Sequence, residues 1–373
     1  MKIVFIVEEH GLTPSGVATV VCDLINKYSS IYKDISLISN SSYGHLEKIL
    51  SSNPELRSFK PQTLNSSSPL LKHLLKIFNR IYEFFWLVTI FLKINPSVII
   101  SHNGGWPGGR LNRKSILISW LLRVKHRILV LHNYPINNMN FFVKLKVGIL
   151  SKIYSYLSTS WVTVSKYSLN SLIASGFRSS NSNLIYNFIS NDLSIKKFTI
   201  KKNYNICFVG ALEKRKGVHL LLELVSNLPI DYKLHIFGTG DIEYENRLRE
   251  ISYGLKHTVK FYGYVDNVRD YFVEMDFLIL PSTENESFGL VLIEAMSHGV
   301  ITICSDVGGM TEVISDNNNG IVFKNGNILT LKDFFSQIQQ GLVDPNHLLL
   351  NAYNDVLNRF DLTTAFSKYT SLH

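Results

Sequence analysis

Short runs of β-branched and other apolar residues alternate along the chain with longer segments whose apolar positions recur every three or four residues. The short runs are "KIVFIV" (2–7), "DISLIS" (34–39), "SVIISH" (97–102), "RILVLH" (127–132) and "WVTVS" (161–165). Helical patterns separate them, as at 17–29 and 70–93. Apolar strands spaced by amphipathic helices predict a parallel sheet covered on both faces, because each crossover between parallel strands needs a helix-length connection. Near residue 195 the texture changes: "SIKKFTIKKNYN" (194–205) is polar and basic and reads as a linker. A second series then begins with "NICFVG" (205–210), "YKLHIFG" (232–238), "VKFYGY" (259–264), "DFLILPS" (276–282) and "VITICSD" (300–306). The expectation is an α/β protein of two Rossmann-like domains facing a cleft, at 1–195 and 196–350. Residues 351–373 are expected as a closing helical segment, with the option of crossing back to the first domain. "NSSSP" (65–69) and "DNNNG" (316–320) read as turns. A length of 373 residues fits two domains, since single cores stop growing beyond about 250–300 residues.

Two helical patterns carry cations. "LLKHLLKIFNRIYE" (70–83) places Lys72, Lys76 and Arg80 on one face, opposite a Leu/Ile/Phe stripe, and is expected to pack on the sheet. "FFVKLKVGILSKIYSYL" (141–157) is a second basic amphipathic segment. Both suit either a core-facing or an interfacial role. The richest apolar run, "FFWLVTIFL" (84–92), is too short to span a bilayer, which takes about 20 residues. "MKIVFIVEEHG" reads as a first strand rather than a signal peptide, because Glu8 and Glu9 stand where a small-residue cleavage site is needed.

Charge is unevenly shared. Residues 1–190 hold 21 Lys and Arg against 7 Asp and Glu; the rest of the chain, from totals of 38 and 29, holds 17 against 22. From Phe84 to Asn191 there is no acidic residue. A basic half suits an anionic membrane surface or an anionic substrate, or serves solubility alone. No nucleic-acid recognition motif accompanies it. Cys22, Cys207 and Cys304 are far apart and lack metal-ligand spacing, which reads as reduced cysteines in a cytoplasmic protein.

Candidate chemistry gathers where strands end, the place at which open α/β sheets bind ligands. "GALEKRKG" (210–217) lies between a strand and the helix "VHLLLELV", with Lys214, Arg215 and Lys216 beside the helix N-terminus: a phosphate site in kind, or a solvated basic turn. "FGTG" (237–240) brings Gly238 to the next strand end, where bare glycines permit close approach to a ligand. "HGLTPSGVATVV" (10–21) follows the first strand, and Gly16 opens a helix; its glycine spacing is not the dinucleotide fingerprint. In "ENESFGLVLIEAMSHG" (284–299) Glu286 precedes a helix that Ser287 could cap and Gly299 closes, and Glu294 lies about two turns further on. Phosphate-binding amides at Gly289 and Leu290, with a carboxylate on either side for hydroxyls, are what a nucleotide sugar requires. The plainer alternative is one capping carboxylate and one surface glutamate.

"ENESFGLVLIEAMSHG" resembles the Glu-x7-Glu motif of the retaining glycosyltransferases of family 4, which have the GT-B fold. "FVGALEKRKGVHLLLELV", "KLHIFGTGD", "VKFYGYVDNVRDYF", "DFLILPS" and "DVGGMTEVISDNNNGIVF" are similar to further segments of that family in the same order. "SHNGG" and "VLHNYP" match its two histidine-bearing strand ends, and "IYNFIS" its entry between domains. The likeness is strong from about 205 to 325 and weaker, though collinear, before that. The resemblance implies that Glu286 binds the donor sugar near the reacting centre, with Phe288, Gly289 and Leu290 presenting amides. It implies Glu294 on the ribose, Arg215 and Lys216 on the departing diphosphate, Gly16 approaching that diphosphate, and His132 against the donor sugar. Asn133 stands where many relatives have Asp. Gly210-Ala211-Leu212 stands where the family often has Gly-Arg-Leu, so Arg215 is inferred to take the place of that Arg.

The implied function is retaining transfer of a sugar from a nucleoside-diphosphate sugar to a glycan or lipid-linked acceptor in bacterial surface polysaccharide assembly. No cofactor is expected, and no metal: an Asp-x-Asp motif is missing from the strand ends, and cations replace it. The expected location is cytoplasmic and peripheral on the inner face of the membrane; the oligomeric state is open. Two alternatives stand beside it: another GT-B enzyme such as a sugar-nucleotide epimerase, and an inactive membrane-associated binding protein. His102 is expected to be structural or acceptor-side.

Overall fold

A computed structural model describes residues 1–8, 16–40, 53, 55–62, 69–135, 139–190, 196–255, 258–284 and 286–373. The expected turn at 65–68 and the loop at 10–15 lie outside these residues. The chain divides into two units: Met1–Ile185 with Ala365–His373, and Tyr186–Thr364.

The first unit is built on a seven-stranded sheet in the order β3-β2-β1-β4-β5-β6-β7. The strands are β1 (Ile3–Glu8), β2 (Ile35–Ser39), β3 (Arg57–Phe59), β4 (Val98–Asn103), β5 (His126–Leu131), β6 (Ser160–Thr163) and β7 (Ser182–Leu184). Every pairing is parallel. β1, β2 and β4 are buried along their whole length, which is why apolar residues occupy both faces of each strand. The second unit repeats the plan with six parallel strands in the order β10-β9-β8-β11-β12-β13. They are β8 (Asn203–Val209), β9 (Asp231–Phe237), β10 (Thr258–Gly263), β11 (Phe277–Leu280), β12 (Ile301–Ser305) and β13 (Ile321–Phe323).

Neither expected domain boundary coincides with the division of the chain. Lys196 lies beyond 195 in the second unit, and its Nζ donates to the carbonyls of Phe272 and Val273 at 3.0 and 3.2 Å. Phe198 is buried and packs against Tyr204 and Phe277. From Lys196 onward the polar segment is therefore strapped onto the second unit, as expected, but the division comes earlier, at Ile185/Tyr186. The 350/351 boundary falls inside the helix Pro345–Arg359, all of which belongs to the second unit. The return to the first unit falls within the last helix, Leu362–Thr370. There Tyr369 is buried, Phe366 meets the Tyr28 ring edge-on at 4.9 Å, and His373 Nε2 lies 3.0 Å from the Tyr28 hydroxyl.

Among the described residues, the helix Pro69–Ile94 packs on the sheet through its C-terminal half. Leu87, Phe91 and Ile94 join Val4, Ile6 and Ile99 in one core cluster. Leu71, Leu74, Ile77, Phe78, Ile81 and Phe85 are exposed, so the expected apolar stripe is not a core face there. Among the described residues no helix is long and apolar enough to cross a membrane.

Candidate functional site

In the second unit the strand order reverses between β8 and β11. Chains leaving these two strands go to opposite faces of the sheet, and a crevice opens at their carboxyl ends. After β8 comes the loop 210–217, with a 3₁₀ turn at Lys214–Lys216, and then the helix Val218–Ser226. After β11 the chain runs through Pro281, Ser282 and Thr283 to the helix Leu290–Ser297. Lys216 Nζ from the first loop pairs with Glu286 Oε1 from the second. Ser282 Oγ donates to the same carboxylate oxygen at 3.0 Å. The Thr283 amide donates to the Arg215 carbonyl at 2.7 Å and ties the two loops together. The paired side chains keep only 20% and 11% of their surface. Removing one partner from so enclosed a pair strands the other's charge, at a cost of about 3–5 kcal/mol.

A third loop seats Glu286 from behind. Gly308, after β12, has φ 62°, and a Cβ there would lie 1.9 Å from the Glu286 carbonyl oxygen. Only a bare Cα permits that approach, and it lets the Gly309 amide donate to the same carbonyl at 2.9 Å. The N-cap of the following helix is Gly289, at φ 87° and ψ 59°, rather than the expected Ser287, and it has no side-chain cap. A left-handed cap without a side chain leaves the first-turn amides facing the strand ends. Phe288 is 2% exposed, held between the rings of Tyr186 and Phe360 at 5.9 and 5.6 Å. Leu290 is the first residue of the helix.

Glu294 lies one helical face further on, where Arg269 Nη2 reaches its Oε1 at 3.0 Å. Arg215 turns to Glu213, Nε to Oε2 at 2.6 Å, and remains one-third exposed. Gly238 follows β9, and its bare Cα faces protein rather than an open crevice: a Cβ would lie 1.9 Å from the Gly210 carbonyl oxygen. Its amide donates to Gly263 O at 2.7 Å. Thus Glu286, Lys216, Phe288, Gly289 and Leu290 come together, whereas Glu294 and Arg215 each take an ion partner within the unit. Ser282, Arg269 and Gly308 were not singled out from the sequence. A serine, an arginine inside "VDNVRDYF" and one glycine of "DVGG" carry no local signal of the glutamates they seat. Among the described residues no three His, Cys, Asp or Glu side chains gather so as to hold a metal ion.

The first unit has its own reversal, between β1 and β4. Gly16 begins the helix Gly16–Ser29, after the undescribed loop. At the end of β1, Glu8 Oε2 accepts from the Leu111 amide at 2.5 Å, at the start of the helix Arg110–Leu121, where a carboxylate is favoured. His102 on β4 and His132 just after β5 meet ring to ring: His102 Nδ1 lies 3.0 Å from His132 Nε2. His102 is fully enclosed, and burial first and His132 second hold its pKa well below the ordinary histidine value.

Residues 190–345 match the family model described as glycosyl transferases group 1. An uncharacterized 41.2 kDa protein of the cps region of Klebsiella pneumoniae is 33% identical over 170 residues, 42% of this chain and 46% of that protein. The capsular polysaccharide biosynthesis glycosyltransferase CapM of Staphylococcus aureus is 21% identical over 284 residues, 70% of this chain and 72% of its own. The chain spans about half or less of the length of several curated relatives it matches. The crystal structure of Anabaena Alr3699/HepE in complex with UDP aligns over 100% of this chain and 99% of that one, with TM-score 0.79 at 19% identity, which is a likeness of fold. Residues 190–345 are similar to the glycosyl transferases group 1, and the two parallel Rossmann-like sheets are those of the GT-B fold.

Proposed function

We propose that the protein transfers a sugar from a nucleoside-diphosphate sugar to a glycan or lipid-linked acceptor, with retention and without a metal, in surface polysaccharide assembly. The observation that carries this reading is the enclosed Lys216–Glu286 pair at the strand reversal, beside the uncapped amides of Gly289 and Leu290. A glutamate held by a lysine and a serine is oriented to accept from sugar hydroxyls. A diphosphate departing beside Lys216, Arg215 and helix-start amides has its developing charge met by groups already in place, which lowers the barrier. In this scheme the bond from the anomeric carbon to the diphosphate oxygen breaks. The acceptor oxygen bonds to that carbon on the same face, and the acceptor proton passes to the departing oxygen. Glu294 on the ribose, and Gly16 and His132 toward donor groups, complete the assignment. The UDP bound by HepE and the capsular role named for CapM support the donor class and the setting.

A second observation favours work at an anionic membrane. The helix Phe141–Leu157 exposes Phe141 and Phe142 by 72% and 79%, with Leu145, Ile149 and Ile153 also open, among Lys144, Lys146 and Lys152. Apolar side chains among lysines suit the headgroup boundary. The test of the proposal is turnover of a panel of nucleoside-diphosphate sugars with and without a chelator, with anomeric analysis of the product. Release of a nucleoside diphosphate with an α-linked product from an α-linked donor is expected. Epimerised nucleotide sugar, or no turnover with any donor, overturns it.

A further inference from the structure

We infer that Ser282 is a positioning residue for Glu286, and that its hydroxyl keeps this carboxylate in place when Lys216 turns to a bound diphosphate. The contact itself stands on geometry; its bearing on the sugar rests on the proposed function. Ser282 lies just beyond the end of β11 and is 1% exposed. A serine hydroxyl has one proton to give, and an ionised carboxylate only accepts. That proton goes to Glu286 Oε1 at 3.0 Å. Lys216 Nζ donates to the same oxygen. Two protein donors are thus spent on one oxygen, and Oε2 accepts from none of the described residues. The Glu286 side chain keeps 11% of its surface. One oxygen is held by the protein, and the other is left to accept from a ligand.

The two donors differ in how firmly they aim the carboxylate. Lysine carries a point charge on a flexible stem, with three donors that rotate freely. Under the proposed function Lys216 also serves the diphosphate, so it is claimed from two sides. Ser282 has a short side chain on a backbone that is tied down without help from its hydroxyl. Ser305 Oγ, at the end of β12, donates to the Ser282 carbonyl. The next residue, Thr283, gives both its amide and its hydroxyl to the Arg215 carbonyl, at 2.7 and 3.1 Å. Asn325 Nδ2 in turn donates to the Thr283 carbonyl at 2.8 Å. Removing the Ser282 hydroxyl leaves every one of these bonds in place. The hydroxyl therefore has one task, the direction of the Glu286 carboxylate, while Lys216 supplies charge.

The experiment is a double-mutant cycle of Ser282→Ala and Glu286→Ala in the full-length protein. It is read as the urea midpoint without ligand, as calorimetric affinity for UDP, ADP and GDP, and as turnover of the panel donor that reacts. Ser282→Ala is expected to lower the midpoint and to leave diphosphate affinity unchanged. Its turnover is expected to fall by up to about 100-fold, the scale on which misplacing a positioned group costs rate. In the Glu286→Ala background Ser282→Ala is expected to lower neither the midpoint nor the residual turnover, because residues that act as a unit are not additive. An equal midpoint loss in both backgrounds overturns the pairing, whatever the protein catalyses. Wild-type turnover in Ser282→Ala, or a turnover loss that persists undiminished in the Glu286→Ala background, overturns the positioning role. If the unmutated protein turns over no donor, the proposed function falls and the role toward the sugar falls with it, while the midpoints still decide the pairing.

Discussion

Glu286 and Glu294 are both carboxylates of one short motif, yet the fold gives them different company. Glu286 sits between Lys216 and Ser282, with its backbone pinned from the third loop. Glu286→Gln keeps the shape and removes the charge that would steady the reacting sugar. Its turnover is expected to fall by about 10²–10³, the loss typical of a group aimed at transition-state charge. Affinity for the free nucleoside diphosphate should stay nearly intact by calorimetry; near-normal turnover would remove Glu286 from the reaction. Glu294 and Arg215 are assigned to the nucleotide, so Glu294→Ala and Arg215→Ala are each expected to weaken diphosphate binding by about 1.5–3 kcal/mol, the loss of one charged hydrogen bond. Since Arg215 already has Glu213 as a partner, binding must draw it away. Unchanged affinity in Arg215→Ala would leave the diphosphate to Lys216 and the helix amides.

The helix Phe141–Leu157 turns its polarity inside out. It buries Ser151 and Ser155 with Val147 and Leu157, and exposes phenylalanine, leucine and isoleucine. Ser151 is inside because it accepts from Trp106 Nε1 at 2.9 Å. The helix Pro69–Ile94 likewise leaves its first half open, beside Lys76 and Arg80. Both helices are expected to dock the first unit on anionic bilayers. Lys144→Glu/Lys146→Glu/Lys152→Glu should abolish co-sedimentation with anionic vesicles, and wild-type binding should fade with salt, since exposed charges are screened within about 10 Å at 0.1 M. Equal recovery on neutral and anionic vesicles would contradict docking by charge. At the same scale, β3, β7 and β13 are edge strands of three residues each, too short to give a period that can be read.

Across the whole molecule, His102, His126, His219, His235 and His373 all have pKa values lowered, with burial the first cause in each. Lowered values mean the folded chain keeps these rings neutral where the unfolded chain would take up protons. Their contribution to stability is therefore complete above about pH 6.5, the unfolded value, and is lost as pH falls through the folded ones. His102 weighs most because it is fully enclosed, and His126 less because it is only partly buried. Urea midpoints are expected to drop between pH 7.5 and 5.5, before the carboxylates titrate; a flat midpoint over that window would contradict the assignment.

The alternation of strand and helix, the two-series plan, the ten longer strands and the helix that carries Glu294 just after Glu286 were all legible in the chain. Each depends on periods and turn residues that act within a few positions of themselves. The unit boundary was not, because Tyr186 and Ile189 are drawn into the second unit by Phe288 and Phe360, far along the chain. Nor was the exposed face of 141–157, since an amphipathic pattern does not say which face meets the core. The partners of the motif residues were also decided in three dimensions. Lys216 meets Glu286, Arg269 meets Glu294, and His102 meets His132 only because parallel strands bring loops distant in sequence to one edge of a sheet. Sequence spacing selects the groups that can do chemistry; strand order selects which of them touch.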